Sequence, residues 1–292
     1  MATIASADWP LLLHAWFWAF LGLVFYAYVQ RLALSRVALA LPTRTLLKIL
    51  FQARFYALFM PGGTNFLVKW YKLGRPLGRP GRVLASMIVF RLALNVALLA
   101  IVSLAVWFDA SLPWQAARQA APLVLAALLA GYLAMGHVPR LMHALARWAV
   151  RYVRLPRVVQ QGIDRGRFLP DDAAPFGYGR LMLLLGLSVA AHLCETLQHV
   201  YIGRAVGLEL SFLTYAWLRG VIVLCGTLPV SLAGLGLREA SMAALLAAYG
   251  VPQEQSIAYS LLFFSGFIVV KGLVGGLTEL WDVMHKTAPP LS

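Results

Sequence analysis

Long apolar blocks, each about the length of a membrane-spanning helix, recur along this 292-residue sequence and constrain its fold more than any other feature. A transmembrane helix needs about 20 predominantly apolar residues. Blocks of that length cover about residues 9–30, 83–107, 117–135, 181–202 and 257–283. Charged residues make up 12% of the chain, against about 25% in soluble domains. The sequence therefore predicts an all-α polytopic membrane protein with about five full spans.

The distribution of charge predicts how these spans are oriented. Segment 31–82 contains ten basic and no acidic residues, and segment 138–180 is also basic. Basic segments between spans lie on the cytoplasmic side, so we expect both segments inside the cell and the N-terminus outside. Segment 138–180 is expected to be a cytoplasmic interfacial linker, with an ordinary connecting helix as the alternative. Because the net charge of +14 lies between apolar blocks, it does not indicate a nucleic-acid partner.

Two pairs of short helical pieces are interrupted by proline and glycine. The first covers 43–73 and the second covers 212–249. We predict that each pair is a re-entrant helical hairpin, because backbone freed at a break must face protein or a wet cavity; the alternative is that the breaks are only kinks or short surface loops. The chain then forms one transmembrane domain over 1–292, with halves of about 9–137 and 181–283 that are candidates for inverted repeats. The predicted break residues are Pro61, Gly62, Gly63, Pro229, Gly234 and Gly236.

Several ionisable residues fall inside the apolar blocks. A charge near the bilayer centre costs about 2.5–3.5 kcal/mol or more, so such a residue usually faces a cavity or a partner. We expect Glu195 to pair with Arg91 or Lys271, while Arg219 and Lys271 could instead reach an interface. His192, Glu195 and His199 share one helix stripe but lack a recognised metal-ligand spacing, so no metal site is predicted.

The run from Leu228 to Ala240 resembles a signature of the lysylphosphatidylglycerol synthase transmembrane-region family, also called flippase-like domain proteins. The segments 245–262 and 275–277, and the run Met60 to Gly63 with Lys69 after it, are similar to further motifs of that family. Phe90 departs from the pattern, which has a glutamate before Arg91. Asn65, where an aspartate is common, and Ala233, in place of a glycine, also depart. The resemblance implies a membrane domain with re-entrant helices that is linked to phospholipids, polyprenyl-phosphate sugars or hopanoids, here without the aminoacyltransferase domain of larger members.

These observations together predict a lipid translocase of the bacterial inner membrane. Arg91, Arg238 and Lys69 would hold a phosphate, and Glu195 and Glu239 would orient these bases or bind an amine. The predicted substrate-binding residues are Arg91, Arg238, Glu239, Lys69, Glu195 and Lys271. No nucleotide-binding motif is present, no cofactor or catalytic residue is predicted, and homo-oligomer formation is left open.

Two other classes of function remain open from the sequence. One is an intramembrane lipid-modifying enzyme, for which Asp171 and Asp172 are the only adjacent acidic pair. The other is a non-transporting scaffold of a lipid or cell-envelope pathway. An enzyme would bring Asp171 or Asp172 into the cavity, whereas a scaffold would pair its intramembrane charges locally.

Overall fold

A computed structural model of the chain describes residues 7–37, 39–59, 64–112, 114–134, 177–225, 236–264, 266 and 271–286. These residues form ten helices and, within the described ranges, no strand. The helices are α1 (Trp9–Arg36), α2 (Thr43–Ala57), α3 (Thr64–Leu77), α4 (Pro80–Phe108), α5 (Gln115–Ala134), α6 (Tyr178–Ala205), α7 (Phe212–Cys225), α8 (Leu237–Ala247), α9 (Gln253–Phe264) and α10 (Lys271–Lys286). The protein is therefore an all-α membrane protein, as the sequence predicts.

Four helices, α1, α4, α5 and α6, are long and apolar enough to cross a membrane, and they coincide with four of the predicted spans. Local signals set where these helices begin. The Asp8 side chain accepts a hydrogen bond from the backbone of Leu11 at the start of α1, which satisfies a free N–H group there. Pro80 opens α4, a position at which the missing N–H of proline costs nothing.

The fifth predicted span, 257–283, covers α9 and α10, and of the residues between these two helices the structure describes only Gly266. Helix α10 is not apolar all round. Its residues Glu279 and Asp282 form ion pairs with Lys72 and Lys48 of the first half of the chain.

The helix termini meet at two opposite ends of the bundle. At one, which we call the Asp109 end, the backbone N–H of Asp8 donates to the carbonyl of Ala205 (3.1 Å), and Thr214 donates to Asp109 (2.8 Å). At the other, the Thr43 end, Arg31 donates to the Thr43 hydroxyl (3.2 Å). The Tyr132 hydroxyl near the end of α5 donates to the carbonyl of Leu181 near the start of α6 (2.8 Å).

The two broken pairs each begin and finish at one end of the bundle. Helix α7 begins at the Asp109 end, and the chain after α8 returns there, where the rings of Tyr249 and Trp217 lie 6.1 Å apart. Helix α2 begins at the Thr43 end, and α3 returns there, with the Trp70 indole donating to the carbonyl of Pro80 (2.9 Å). The predicted break residues Pro61, Gly62, Gly63, Pro229 and Gly234 lie outside the described residues.

Some contacts recur in the two halves of the chain. Helix α1 packs along α6, and the two run in opposite directions. The contacts of α1 with α2 and of α3 with α4 have counterparts in those of α6 with α7 and of α8 with α9. The inverted repeat stays a prediction.

Two apolar cores are separated by a polar layer at mid-depth. The core nearer the Thr43 end includes Leu23 of α1 and Leu184 of α6. The core nearer the Asp109 end includes Leu12 of α1 and Val200 of α6. Between them, α6 carries the buried polar residues His192, Glu195, Thr196, Gln198 and His199. The polar layer therefore lies near the middle of the long helices.

Candidate functional site

Glu195, which is 4% exposed near the middle of α6, is the centre of the polar layer. The neighbouring helix α1 approaches closely here because it presents Gly22, where an added Cβ would lie 3.3 Å from the Glu195 side chain and from the carbonyl of Ala191. Small residues let helices in a membrane pack closely. This approach brings Tyr26, one turn further along α1, to the carboxylate, and its hydroxyl donates to Oε2 at 2.6 Å.

Arg219 of α7 forms an ion pair with the same carboxylate oxygen of Glu195. The sequence favoured pairing of Glu195 with Arg91 or Lys271; the ion pair is formed with Arg219, while Lys271 interacts electrostatically with Glu195. Arg219 is also 2% exposed, so it does not reach an interface. Helix α7 enters the bundle from the Asp109 end and places Arg219 at the depth of Glu195. The apolar pattern of α7 does not show how deep this helix enters, so the sequence could not identify this pair.

His192 completes this group as a neutral imidazole. Its Nε2 faces the carbonyl oxygen of Leu94 at 2.9 Å, which can only accept a hydrogen bond. Its Nδ1 faces the guanidinium of Arg219 at 2.9 Å, which can only donate. Nε2 therefore carries the proton and Nδ1 accepts from Arg219. Arg219 is thus shared between a carboxylate and an uncharged ring one turn apart on α6.

Four further basic side chains surround this group, and with Arg219 they form what we call the basic cluster: Arg54, Lys69, Arg91, Arg219 and Lys271. Lys69 of α3 is 7% exposed, and its Nζ lies 3.5 Å from the centre of the Phe90 ring. Arg91 of α4 lies at the exposed margin of the cluster. Arg54 of α2 is half-buried, and Lys271, at the start of α10, is 4% exposed.

These basic side chains, which come from five helices, interact electrostatically with one another. Arg54 interacts with Lys69 and with Arg91. Arg54 also interacts with Lys271, which in turn interacts with Glu195 and Arg219. The region is therefore rich in basic side chains, which attract anions.

Some polar atoms at this depth are left without partners. Within the described part of the chain, Lys69 and Arg91 have no carboxylate partner. Glu195 Oε1, Arg219 Nη1 and both amide atoms of Gln198 are buried and have no hydrogen-bond partner there. Buried polar groups of folded proteins are nearly always satisfied, so these atoms are suited to a bound polar ligand or to water.

Four of the predicted substrate-binding residues, Lys69, Arg91, Glu195 and Lys271, thus lie together. The sequence did not single out Arg54. Arg54 lies in a segment that contains many basic residues, and nothing in the sequence distinguishes it from the others. The other missed residue, Tyr26, lies in the apolar block of α1. Tyr26 follows Gly22 by one helical turn. This spacing is the one feature of the sequence that could have placed Tyr26 on the face of α1 that packs on α6.

The other predicted residues lie at the start of α8. The backbone N–H of Gly236, which has φ = 84°, donates to the Glu239 carboxylate at 2.7 Å, and Ser260 donates to the other carboxylate oxygen at 3.3 Å. Glu239 therefore caps the positive end of its own helix, where the sequence suggested that an anion could bind. Arg238 begins the first turn of α8, and its side chain lies outside the described part.

The candidate metal stripe of α6 is divided between two neighbours. His192 faces Arg219, whereas His199 hydrogen-bonds to Tyr259 and stacks on Phe263 of α9 with ring centres 4.4 Å apart. Among the residues that the structure describes, no group of three His, Cys, Asp or Glu side chains is placed to hold a metal ion.

A family model described as the lysylphosphatidylglycerol synthase TM region matches residues 1–275. This range contains every residue of the basic cluster, together with both broken helix pairs. No curated protein matches the sequence.

Proposed function

The chain belongs to the lysylphosphatidylglycerol synthase transmembrane-region family, and on that premise we propose that it is a lipid translocase of the bacterial inner membrane. It moves an anionic, phosphate-bearing headgroup across the bilayer. The basic cluster carries this proposal, because five basic side chains meet at mid-depth in a helical membrane protein. Charges inside a bilayer are costly and usually mark the path of a polar substrate.

In this proposal the two broken pairs are re-entrant hairpins that enter from opposite sides of the membrane. Two features support this reading: each pair returns to the end of the bundle from which it starts, and the two pairs use different ends. The first pair supplies Arg54 and Lys69, and α7 of the second supplies Arg219. Sites of this type form near the midplane where broken helices of two halves meet.

The headgroup binds by charge-assisted hydrogen bonds from Lys69 and Arg91, while its acyl chains stay in the bilayer. Arg91 lies at the exposed margin of the cluster and Lys69 is buried, so an entering phosphate meets Arg91 first and Lys69 further in. The Glu195–Arg219 pair forms the floor of this site and holds α6 and α7 together.

The incomplete local pairing of the intramembrane charges favours a translocase over a scaffold. A scaffold would neutralise its intramembrane charges internally, yet Lys69 and Arg91 have no carboxylate partner in the described part of the chain. Asp171 and Asp172, on which an enzymatic function would depend, lie outside the described residues.

The proposal is tested by transbilayer movement of lipids in vesicles that contain the purified protein. Phosphatidylglycerol, phosphatidic acid and phosphatidylcholine, each with the same fluorescent acyl chain, are followed by quenching from outside with dithionite. We expect the protein to accelerate movement of at least one of the two anionic lipids but not of phosphatidylcholine. The translocase is contradicted if protein-containing and protein-free vesicles behave alike for all lipids tested, including a polyprenyl phosphate.

Variants connect this movement to the basic cluster. Lys69→Gln and Arg91→Gln should each slow it about tenfold or more, since a hydrogen bond to a charged group contributes roughly 1.5–3 kcal/mol. Arg180→Gln removes the same charge from an exposed position at the start of α6 and should leave the rate unchanged. If lipid moved as fast in Lys69→Gln and Arg91→Gln as in Arg180→Gln, the cluster would be excluded as the binding site.

A further inference from the structure

A groove lies between the end of α4 and the first turns of α5, at the Asp109 end of the bundle. It has a volume of about 340 Å³ and is lined by Trp107, Gln115, Arg118, Gln119 and Pro122. Helices α4 and α5 are both long and apolar enough to span a membrane, and residues 109–114 are the short connection between them. The groove therefore lies at the depth of the lipid headgroups, whereas the basic cluster lies at mid-depth.

Arg118 provides the positive charge of this groove. Its Nε donates to the carbonyl oxygen of Trp107 at 2.9 Å, which holds the guanidinium against the end of α4. Within the part of the chain that the structure describes, this side chain forms no ion pair and no further hydrogen bond. Asp109, the nearest acidic residue in sequence, is buried and accepts hydrogen bonds from Thr214 and Trp217 instead. The terminal nitrogens of Arg118 are therefore available to an anion.

The neighbours of Arg118 in the groove suit a phosphate. Gln115 and Gln119 lie three residues before and one residue after Arg118 on α5, and both line the same groove. A guanidinium can donate two parallel hydrogen bonds to phosphate oxygens, and a glutamine amide can donate through its NH₂ group. The groove therefore combines one positive charge with neutral donors, which matches a phosphate with a single negative charge.

The protein surface next to the groove suits hydrocarbon chains. Leu123 follows Gln119 by one turn of α5, deeper in the membrane, and is 74% exposed; Val124 beside it is also exposed. At the end of α4, Trp107 and Phe108 are exposed, as aromatic residues at a membrane interface commonly are. A charged groove with an exposed apolar face one turn deeper is complementary to an amphiphile with an anionic headgroup.

We propose that this groove binds an anionic phospholipid of the leaflet at the Asp109 end. Arg118 and the two glutamines bind the phosphate oxygens, and the acyl chains lie along the exposed face of α5. A zwitterionic lipid binds less well, because its ammonium group would be repelled by Arg118. The site is separate from the basic cluster, and the inference does not depend on the translocase function.

Quenching from the acyl chain of a bound lipid tests this site. Ala126→Cys lies one turn after Pro122 at an exposed position; it is labelled with bimane in a background with Cys194→Ala and Cys225→Ala, in phosphatidylcholine vesicles. Phosphatidylglycerol or phosphatidylcholine with a nitroxide on the acyl chain is then added. Phosphatidylglycerol should quench at an about fivefold lower mole fraction, the factor expected from one basic residue near an anionic lipid. Equal quenching by the two lipids would overturn the proposal.

Two arginine variants locate the source of this preference. Arg118→Gln should abolish it. Arg204→Gln removes the same charge from an exposed position in the last turn of α6, at the same end of the bundle, and should retain it. A preference that persists in Arg118→Gln, or that is lost equally in Arg204→Gln, would come from the general charge of this surface and would overturn the site.

Inorganic phosphate distinguishes a lipid headgroup from a soluble anion. Added to the vesicles at an ionic strength matched with chloride, it should leave quenching by phosphatidylglycerol unchanged, because the acyl chains hold the lipid beside the groove. Relief of quenching by phosphate but not by chloride would show that the groove binds free phosphate, and would overturn the assignment of a lipid.

Discussion

Glu195 and Arg219 form an ion pair that is almost completely buried, with 5% and 3% of the two side chains exposed. Removing one partner of such a pair leaves the other as an uncompensated buried charge and costs about 3–5 kcal/mol. Glu195→Gln should therefore lower the unfolding temperature of the protein in detergent markedly. The glutamine amide oxygen and His192 could still accept hydrogen bonds from Arg219, but neither would balance its positive charge.

The matched comparison is Asp282→Asn, which removes the same type of charge from a more exposed ion pair. Lys48 and Asp282 are 35% and 25% exposed, and exposed pairs contribute about 0–1 kcal/mol. We expect this variant to unfold within a few degrees of the wild type. Similar losses in both variants would contradict the structural role given to Glu195.

The sequence identified which residue types form the site but not how they pair. Arg91, Glu195 and Lys271 stood out because charge is rare in apolar blocks, and Lys69 stood out through the family resemblance, as the basic residue after the first break. The choice of Arg219 as the partner of Glu195 depends on how far α7 enters the bundle. That depth is set by contacts distant in sequence, such as Thr214 and Trp217 with Asp109 at its outer end, and local periodicity contains no information about it.

Helix α10 packs against α2 through a glycine face. A Cβ at Gly275 would lie 2.1 Å from the carbonyl oxygen of Phe51 and 3.0 Å from the Cβ of Phe55. The close neighbour is backbone, so it cannot move aside by changing a rotamer. Gly275→Ala should therefore force α10 away from α2 and cost about 1–3 kcal/mol, as overpacking does.

Gly186 provides the control for Gly275, because it lies within α6 and an added Cβ meets nothing within 4 Å. Alanine is the better helix former by roughly 0.5–1 kcal/mol, so Gly186→Ala should leave the unfolding temperature in detergent unchanged or raise it. The packing of α10 on α2 would be refuted if Gly275→Ala proved as stable as Gly186→Ala.

The apolar pattern was sufficient to predict the long helices but does not show how α10 packs. Helices α1, α4, α5 and α6 are apolar over a full membrane thickness, so their existence follows from length alone. The block 257–283 has the same average character, but its second part packs polar residues against α2 and α3. The sequence alone does not show whether an acidic residue of this block faces lipid or a lysine of another helix. That depends on tertiary contacts.

The molecule as a whole has a polar layer held between two apolar cores. The two helices that open the predicted halves, α1 and α6, pack along each other, and Tyr26 of one meets Glu195 of the other. Under the proposed function, movements of the proposed hairpins would open a site at this depth to either side of the membrane, as alternating access requires.

The proposed orientation of the two hairpins is testable by cysteine labelling in a background with Cys194→Ala and Cys225→Ala. Ser35→Cys and Arg79→Cys flank the α2–α3 pair, and Glu209→Cys and Gln253→Cys flank the α7–α8 pair; all four positions are exposed. In right-side-out membrane vesicles, a membrane-impermeant maleimide should label positions 209 and 253 directly. It should label positions 35 and 79 only after permeabilisation.

The result follows from where each pair begins and ends. If α2–α3 crossed the bilayer as one broken span, positions 35 and 79 would be labelled from opposite sides, and the same argument applies to positions 209 and 253 for α7–α8. Opposite labelling within either pair would therefore exclude a re-entrant hairpin there. Labelling of both pairs from the same side would retain the hairpins but exclude inverted halves, because inversion requires the two breaks to approach the polar layer from opposite sides.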